Sequence, residues 1–274
     1  MTQAESGRKQ LRLAFVGWGA IARRVAGLLQ ERNGNIAVVG IATRNAPQHD
    51  SGLPDGARWL AVPDVLRDLA PDLVVEAAGR AAVEPWGLAS LRWARAFVVS
   101  STSAFSVDAV LRRLVDEAER CGSQILIPSG ALAGLDALAA ASRLPLECVT
   151  HRIIKPPRAW KGTPAEDLVD LDSLASAHAF FHGSAREAAS QFPANANVAA
   201  ISALAGIGFE RTSVELVADP TTTENCHHLM ARGDFGVLNV MIENRPFAAN
   251  PKSSELTALS LVRLIEGKTR AIAI

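Results

Sequence analysis

Leu11-Arg12-Leu13-Ala14-Phe15-Val16-Gly17-Trp18-Gly19-Ala20-Ile21-Ala22 is a short apolar run that breaks into Gly-x-Gly-x-x-Ala and then into a helical pattern. It predicts a strand, a tight turn and a helix, the opening of a dinucleotide-binding βαβ unit. Gly17 permits the turn, Gly19 lets backbone approach a pyrophosphate, and Ala22 is small enough for the helix to pack on the strand. Ala20 and Ile21 open the helix, where unpaired N–H groups and the positive dipole end suit phosphates. Glycines also punctuate strand-to-helix turns that hold no ligand, so the flanking sequence decides. A second apolar run, Ile36 to Ala42, follows at the distance a crossover helix requires, and Thr43-Arg44 stands where the ribose-reading residue belongs. An acidic residue there favours NAD; Arg44 either faces a 2′-phosphate or is a solvated residue after the strand. The expected cofactor is NAD or NADP.

Outward from this turn, short β-branched runs alternate with helical patterns up to about Gly130. Leu73–Ala77, Phe97–Ser100 and Gln124–Ile127 read as strands, with helices at Val83–Ala94 and Val107–Arg120 between them. That rhythm predicts a parallel sheet covered by helices. Asp64 and Ser106 are candidate N-caps of two covering helices. After Gly130 the rhythm changes. A helix is expected over Ala131–Ser142, a strand over Glu147–Ile154, and a capping box at Ser184-Ala185-Arg186-Glu187. A helix over Asn195–Gly206 follows, with Asn195 as its cap, then strands at Ser213–Ala218, His227–Arg232 and Gly236–Ile242. Strands in succession with turn residues between them suggest an antiparallel or mixed sheet. The last helical pattern, Glu255 to Glu266, places Leu256, Leu259, Val262 and Ile265 on one apolar face. The fold class is therefore α/β. A Rossmann-type domain is expected over 1–130 and a second, α+β catalytic and oligomerisation domain over 131–250. The C-terminal helix, within 251–274, is expected to return to the first domain.

The 274 residues can bury a large core, and 28 basic residues against 28 acidic ones give no net charge. That balance argues against a nucleic-acid surface or a polybasic membrane anchor and leaves a small molecule as the expected partner. Cys121, Cys148 and Cys226 are widely spaced, so neither a disulfide framework nor a zinc site is implied, and a cytoplasmic location is expected. The polar start, Met1 to Gln10, lacks the apolar core of a signal peptide, and no apolar stretch approaches the ~20 residues of a membrane span.

Several blocks resemble the L-aspartate dehydrogenase family: Val75-Glu76-Ala77-Ala78-Gly79, Ile127 to Asp136, and Phe192-Pro193-Ala194-Asn195-Ala196-Asn197-Val198. Ala218-Asp219-Pro220, Asn225-Cys226-His227 and Asn250-Pro251-Lys252-Ser253-Ser254 continue the resemblance in order. It implies a dinucleotide-binding domain followed by an α/β domain whose sheet joins subunits into dimers. It also implies NAD(P)-dependent oxidative deamination of L-aspartate, through iminoaspartate, to oxaloacetate and ammonia, with a place in amino-acid or nicotinamide metabolism. The family's dinucleotide-contacting positions fall on Ala131 and Asn197, and its catalytic histidine on His227.

The chemistry fits that assignment. The amine must lose protons for an imine to form, and water must then attack the imine carbon; histidine has the unperturbed pKa for both tasks. His227 and His228 are neighbours on an expected strand, so only one can face a cleft. The Asn-x-His motif selects His227. His49, His151, His178 and His182 read as surface or core residues without a metal-ligand spacing. Asn197 carries a carboxamide that can donate and accept, whereas Ala131, expected at a helix start, would offer backbone N–H and room. Aspartate brings two carboxylates, for which Lys252, Lys155 and Arg158 are the candidate cations. Cys226 reads as a buried small residue. Ser101-Thr102-Ser103-Ala104 departs from the family's Ser-x-Gly-Ala, which puts substrate size preference in question at Ser103. The alternatives are another amino-acid or homoserine-type dehydrogenase on the same fold, or a protein that senses NAD(P) without turnover.

Overall fold

The computed structural model describes residues 10–32, 35–46, 53–193, 195–247 and 250–272; the lead-in at 1–9 and His49 lie outside them. The chain forms two compact units, one of residues 1–128 with 258–274 and one of residues 129–257.

The first unit begins β1 (Leu11–Val16), α1 (Ala20–Arg32), β2 (Ile36–Ala42), β3 (Arg58–Leu60), α2 (Leu66–Leu69) and β4 (Leu73–Glu76). It continues with α3 (Arg80–Trp93), β5 (Ala96–Val99), α4 (Asp108–Cys121) and β6 (Gln124–Leu126). All sheet pairs are parallel, in the order β3-β2-β1-β4-β5-β6. Parallel strands wrapped by helices bury both faces. Accordingly Leu13, Phe15, Val75 and Val98 are sealed in one core while Ala14, Val74, Phe97 and Val99 are sealed on the alternate positions. In α1 the buried residues Ala22, Val25 and Leu29 recur at helical spacing, which turns one stripe of the helix onto that core.

The second unit holds α5 (Leu135–Ala141), β7 (Leu146–Lys155), α6 (Pro157–Trp160), β8 (His178–Ser184), α7 (Ala185–Gln191), α8 (Asn197–Ala205) and β9 (Thr212–Ala218). β10 (Asn225–Gly233), β11 (Gly236–Asn244), β12 (Pro246–Phe247) and β13 (Asn250–Ser254) complete it. Its main sheet runs β11-β10-β7-β9-β8 and is mixed: β7 and β9 are parallel and the other pairs antiparallel. Along β11 exposed and half-buried residues alternate, as a sheet with one covered face requires. The capping box opening α7 is present in both directions between Ser184 and Glu187. The last helix, α9 (Glu255–Glu266), contributes Ala258, Leu261, Val262 and Ile265 to the core of the first unit.

Several local expectations are corrected. No helix begins at Ala131: Gly130 and Gly134 both take positive φ, 61° and 68°, so the chain turns twice before α5 starts at Leu135. Asn195 is not the cap of α8, because its N–H closes a turn on the Phe192 carbonyl and Ala196 falls into the cap position. Ser106 donates to the Ser103 carbonyl instead of capping α4, where Val107 takes the position, and Asp64 lies inside a 3-10 turn ahead of α2. The buried face of α9 is rotated from the expected one, leaving Leu259 41% exposed. β8 was not expected, since His178-Ala179-Phe180-Phe181-His182 breaks strict alternation; its pairing with β9 carries a register shift between Ala179 and Phe181.

Candidate active site

In the first unit, sheet order reverses between β1 and β4, and the chain leaves adjacent strand ends in opposite directions. This is where an open α/β sheet offers a crevice. The two turn glycines do different work there. At Gly17, φ is +93° and a Cβ would sit 2.7 Å from the Ala77 carbonyl oxygen and the Ala78 Cα, so the fold itself demands glycine. At Gly19 a Cβ would meet nothing within 4 Å. Among the described residues no contact requires glycine at this position. α1 begins at the next residue, Ala20, so Ala20 and Ile21 form its first turn. Arg23 donates to the Trp18 carbonyl and ties the turn to the helix. Arg44 is exposed two residues past β2. The arrangement fits a dinucleotide.

At the end of β4, Glu76 is fully buried. Its carboxylate accepts from the N–H groups of Ala78 and Gly79 at 2.8 Å, and from the Ser101 N–H at 3.0 Å and hydroxyl at 2.9 Å. It thereby clips the turn after β4 to the loop after β5. Ser103, in the departure from the family pattern, is fully buried in the 3-10 turn Thr102–Ser106.

In the second unit the register builds a different cluster. His227 on β10 lies opposite Ile153 on β7, so Lys155 and His151, two residues to either side of Ile153, share its face. His227 is 2% exposed, His151 is fully buried, and Lys155 is buried. The two imidazoles are diagonal neighbours, within reach across a strand pair. His151 Nε2 lies 3.3 Å from His227 Nδ1, and His151 Nδ1 lies 3.1 Å from Ser202 Oγ on α8. Burial pushes the His151 pKa down to about 3, helped by the charge of His228, and burial holds His227 well below the ordinary imidazole range, helped by His151 and Lys155. Both rings are therefore neutral at neutral pH. His228 points the other way and bonds Asn239 Oδ1 at 2.7 Å.

The remaining candidates are placed as follows. Lys155 Nζ stands 5.5 Å from the centre of the buried Trp160 ring. Arg158 is exposed and donates to the Thr223 carbonyl at 3.1 Å. Lys252 lies on β13, and its side chain is outside the described residues. Ala131 is buried and its carbonyl accepts from the Asn244 carboxamide at 2.9 Å. Asn197 is the first residue of α8. Two residues before it, Asn195 is buried, with neither carboxamide atom hydrogen-bonded among the described residues. Cys226 is buried on the face opposite His227, and burial raises its thiol pKa. His151 and Ser202 escaped the sequence reading. For His151 the signal was available, because Val149, His151 and Ile153 alternate along β7 and put the imidazole on the covered face. Among the described residues no group of His, Cys, Asp and Glu is placed to hold a metal ion, and no helix is long and apolar enough to cross a membrane.

Comparison with known proteins matches both parts of the chain to families. Residues 17–128 match the homoserine dehydrogenase NAD-binding domain family, and residues 136–268 match the aspartate dehydrogenase C-terminal family. The L-aspartate dehydrogenase of Brucella anthropi is 52% identical over 262 residues, covering 96% of this chain and 98% of that protein. That of a Polaromonas species is 44% identical over 269 residues, with 96% and 100% covered. The crystal structure of aspartate dehydrogenase from Thermotoga maritima superimposes with a TM-score of 0.77 at 27% identity, over 96% of this chain and 99% of that one. A hyperthermophilic archaeal homoserine dehydrogenase, in complex with NADPH, shares the fold at a TM-score of 0.62 and 12% identity, over 94% and 97% of the two chains. An NAD(P)-binding Rossmann-like unit with its open glycine turn, a mixed-sheet unit with its inward histidine, and full-length similarity at this level make the chain a member of the L-aspartate dehydrogenase family.

Proposed function

We propose that the chain catalyses NAD(P)-dependent oxidative deamination of L-aspartate through iminoaspartate to oxaloacetate and ammonia, with His227 as the general acid/base. The observation that carries the reading is a neutral, buried imidazole on the covered face of the second sheet, beside a buried lysine, in a chain of this family. Gly17, Gly19, Ala20, Ile21 and the first turn of α1 would hold the pyrophosphate, and Ala131 and Asn197 the nicotinamide end. Bound NAD(P)+ supplies the hydride acceptor. His227 takes a proton from the substrate ammonium, and loss of the α-hydrogen as hydride leaves the imine. Once it has passed that first proton to solvent, the same imidazole takes a proton from the water that attacks the imine carbon and returns it to the departing ammonia. The negative charge of the substrate carboxylates raises the proton affinity of the ring when aspartate is bound. Lys155 and Lys252 would pair those carboxylates, since a dicarboxylate leaving water needs a cation for each group it buries.

A substrate panel followed at nicotinamide absorbance tests the activity. Turnover of aspartate but not homoserine is expected; turnover of homoserine alone, or cofactor binding with no turnover, would overturn it. Arg44 is the proposed partner of a 2′-phosphate. Arg44→Ala should raise KM for NADP by roughly tenfold, the value of one exposed charge-assisted contact, and leave KM for NAD unchanged. Equal changes for both cofactors would remove Arg44 from the site. A homodimer or higher homo-oligomer is proposed through the outer face of the second sheet, where Val237 and Met241 are 60% and 66% exposed. A cytoplasmic location is consistent with three free cysteines.

A further inference from the structure

The contacts behind His227 bear on which of its nitrogens is basic. Ser202 Oγ has one hydrogen, and the Ala199 carbonyl, 3.0 Å away, is placed to receive it. A carbonyl can only accept. With that hydrogen on Ala199, Ser202 Oγ meets His151 Nδ1 as an acceptor, and Nδ1 then carries the hydrogen of that ring. Because His151 is neutral, its Nε2 is bare and can only accept. The atom it accepts from is His227 Nδ1. His227 then holds its hydrogen on Nδ1 and keeps its lone pair on Nε2, and among the described residues no hydrogen bond occupies that second nitrogen.

We propose that Ala199 carbonyl, Ser202 and His151 form a tautomer lock that presents His227 Nε2 as the proton-accepting atom. His151 and Ser202 are thus positioning residues for the reaction. With the opposite tautomer of His151, Ser202 would have to turn its hydrogen away from Ala199 and His227 would have to accept at Nδ1. Its Nε2 would then carry a hydrogen and could not serve as the base. The lock also survives the proton transfer: when Nε2 gains a proton, the Nδ1–H bond to His151 keeps its direction, so no side chain need rearrange. Its parts are rigid for a structural reason. His151 and His227 are fixed by β7–β10 register, and Ser202 is one turn into a helix whose residues Ala199 to Ala203 are all buried.

This inference rests on His227 being the acid/base, so its test has a readout that needs no turnover. Long-range ¹H–¹⁵N correlation spectra of the whole protein labelled at histidine nitrogens, with His227 assigned from a His227→Gln spectrum, report the tautomer directly near neutral pH. The expected result, with and without NAD+, is a protonated Nδ1 and a bare Nε2 at His227. A hydrogen on Nε2 would overturn the lock even if His227 proves essential. Conversely, full activity in His227→Ala would sink the acid/base reading while leaving the spectrum as expected. His151→Leu removes the acceptor and should lower kcat on the order of 10²-fold with KM for NAD unchanged. His151→Gln, whose amide oxygen can accept from His227 Nδ1, should restore most of that loss. Equal losses in the two folded variants would reduce His151 to a packing residue and overturn the proposal. Should His151→Leu not fold, Ser202→Ala decides: His227 is expected to spread over both tautomers, and an unchanged single tautomer overturns the role of Ser202.

Discussion

Each sheet buries a polar side chain on an inner strand, and the two are treated oppositely. Glu76, at the end of β4, is saturated: three backbone N–H groups and a hydroxyl converge on its carboxylate. His227, on β10, is bonded at one nitrogen only among the described residues. The first is a clip that joins loops, and the second is a ring held in place with capacity left over. Burial of a polar group therefore does not mark chemistry by itself. What marks it is hydrogen-bonding capacity that the fold supplies and does not consume, since an idle buried group otherwise costs stability.

The sharpest way to break this contrast is at His227. His227→Ala should lose on the order of 10² to 10⁴ in kcat while NAD(P)H affinity, measured by fluorescence titration, persists. His228→Ala should retain most activity, because its ring faces the other side of the sheet. If His228→Ala is the inactive member of the pair, the assignment of faces to chemistry is wrong. If neither is impaired, the mechanism fails.

The glycine turn carries the same contrast on a smaller scale. Gly17→Ala forces a Cβ against backbone at positive φ and should cost about 2–4 kcal/mol of unfolding free energy. Gly19→Val should leave thermal stability of the free protein near wild type yet weaken dinucleotide binding on the order of 10²-fold, about 2.7 kcal/mol. A destabilised Gly19→Val with unchanged affinity would mean that this glycine, too, serves the fold. At the clip, Glu76→Gln replaces a pure acceptor by a group with a misdirected donor. It should cost about 1–3 kcal/mol in urea unfolding, without a matching fall in kcat once cofactor is saturating. A neutral effect on stability would erase the distinction between the two buried groups.

The last effect expected is in pH. The unfolded chain protonates its histidines near 6.5, whereas His151 in the fold does so only near 3. Between those values the unfolded state binds more protons, so stability rises with pH and is lost as pH falls from about 6.5 towards 3. Each such ring adds a slope of up to about 1.4 kcal/mol per pH unit in that window. His151→Gln should flatten the acid limb of a Tm-against-pH curve by one histidine's share. An unchanged limb would show that the ring is already charged in the native protein.

Apart from the short edge strand β3, which was not expected, the secondary structure of the first sheet matches what is observed closely because its determinants are local. An apolar run, a glycine turn and a helical stripe need only neighbouring residues to define them, and β1, α1 and β2 lie within a residue or two of where the pattern puts them. The second unit was less legible for the same reason in reverse. His227 was singled out by a family motif, and its strand by the surrounding pattern, but nothing along the chain says that β10 pairs with β7 at the register setting His227 diagonal to His151. Likewise Ala131 was expected to open a helix because the alanine-rich run after it is helical, and the positive φ angles of Gly130 and Gly134 moved that start to Leu135.

By itself, then, the sequence determined the fold class and the glycine turn, and it marked His227 as the candidate histidine. Those depend on spacing and residue type within short segments. Only the tertiary structure decided that Glu76 is a saturated clip, that Gly17 and Gly19 differ in kind, and that Ser202 and His151 stand behind His227. A hydrogen bond's direction depends on every partner at both of its ends, and those partners come from residues 25 to 76 positions apart that meet only when strands pair and a helix covers them.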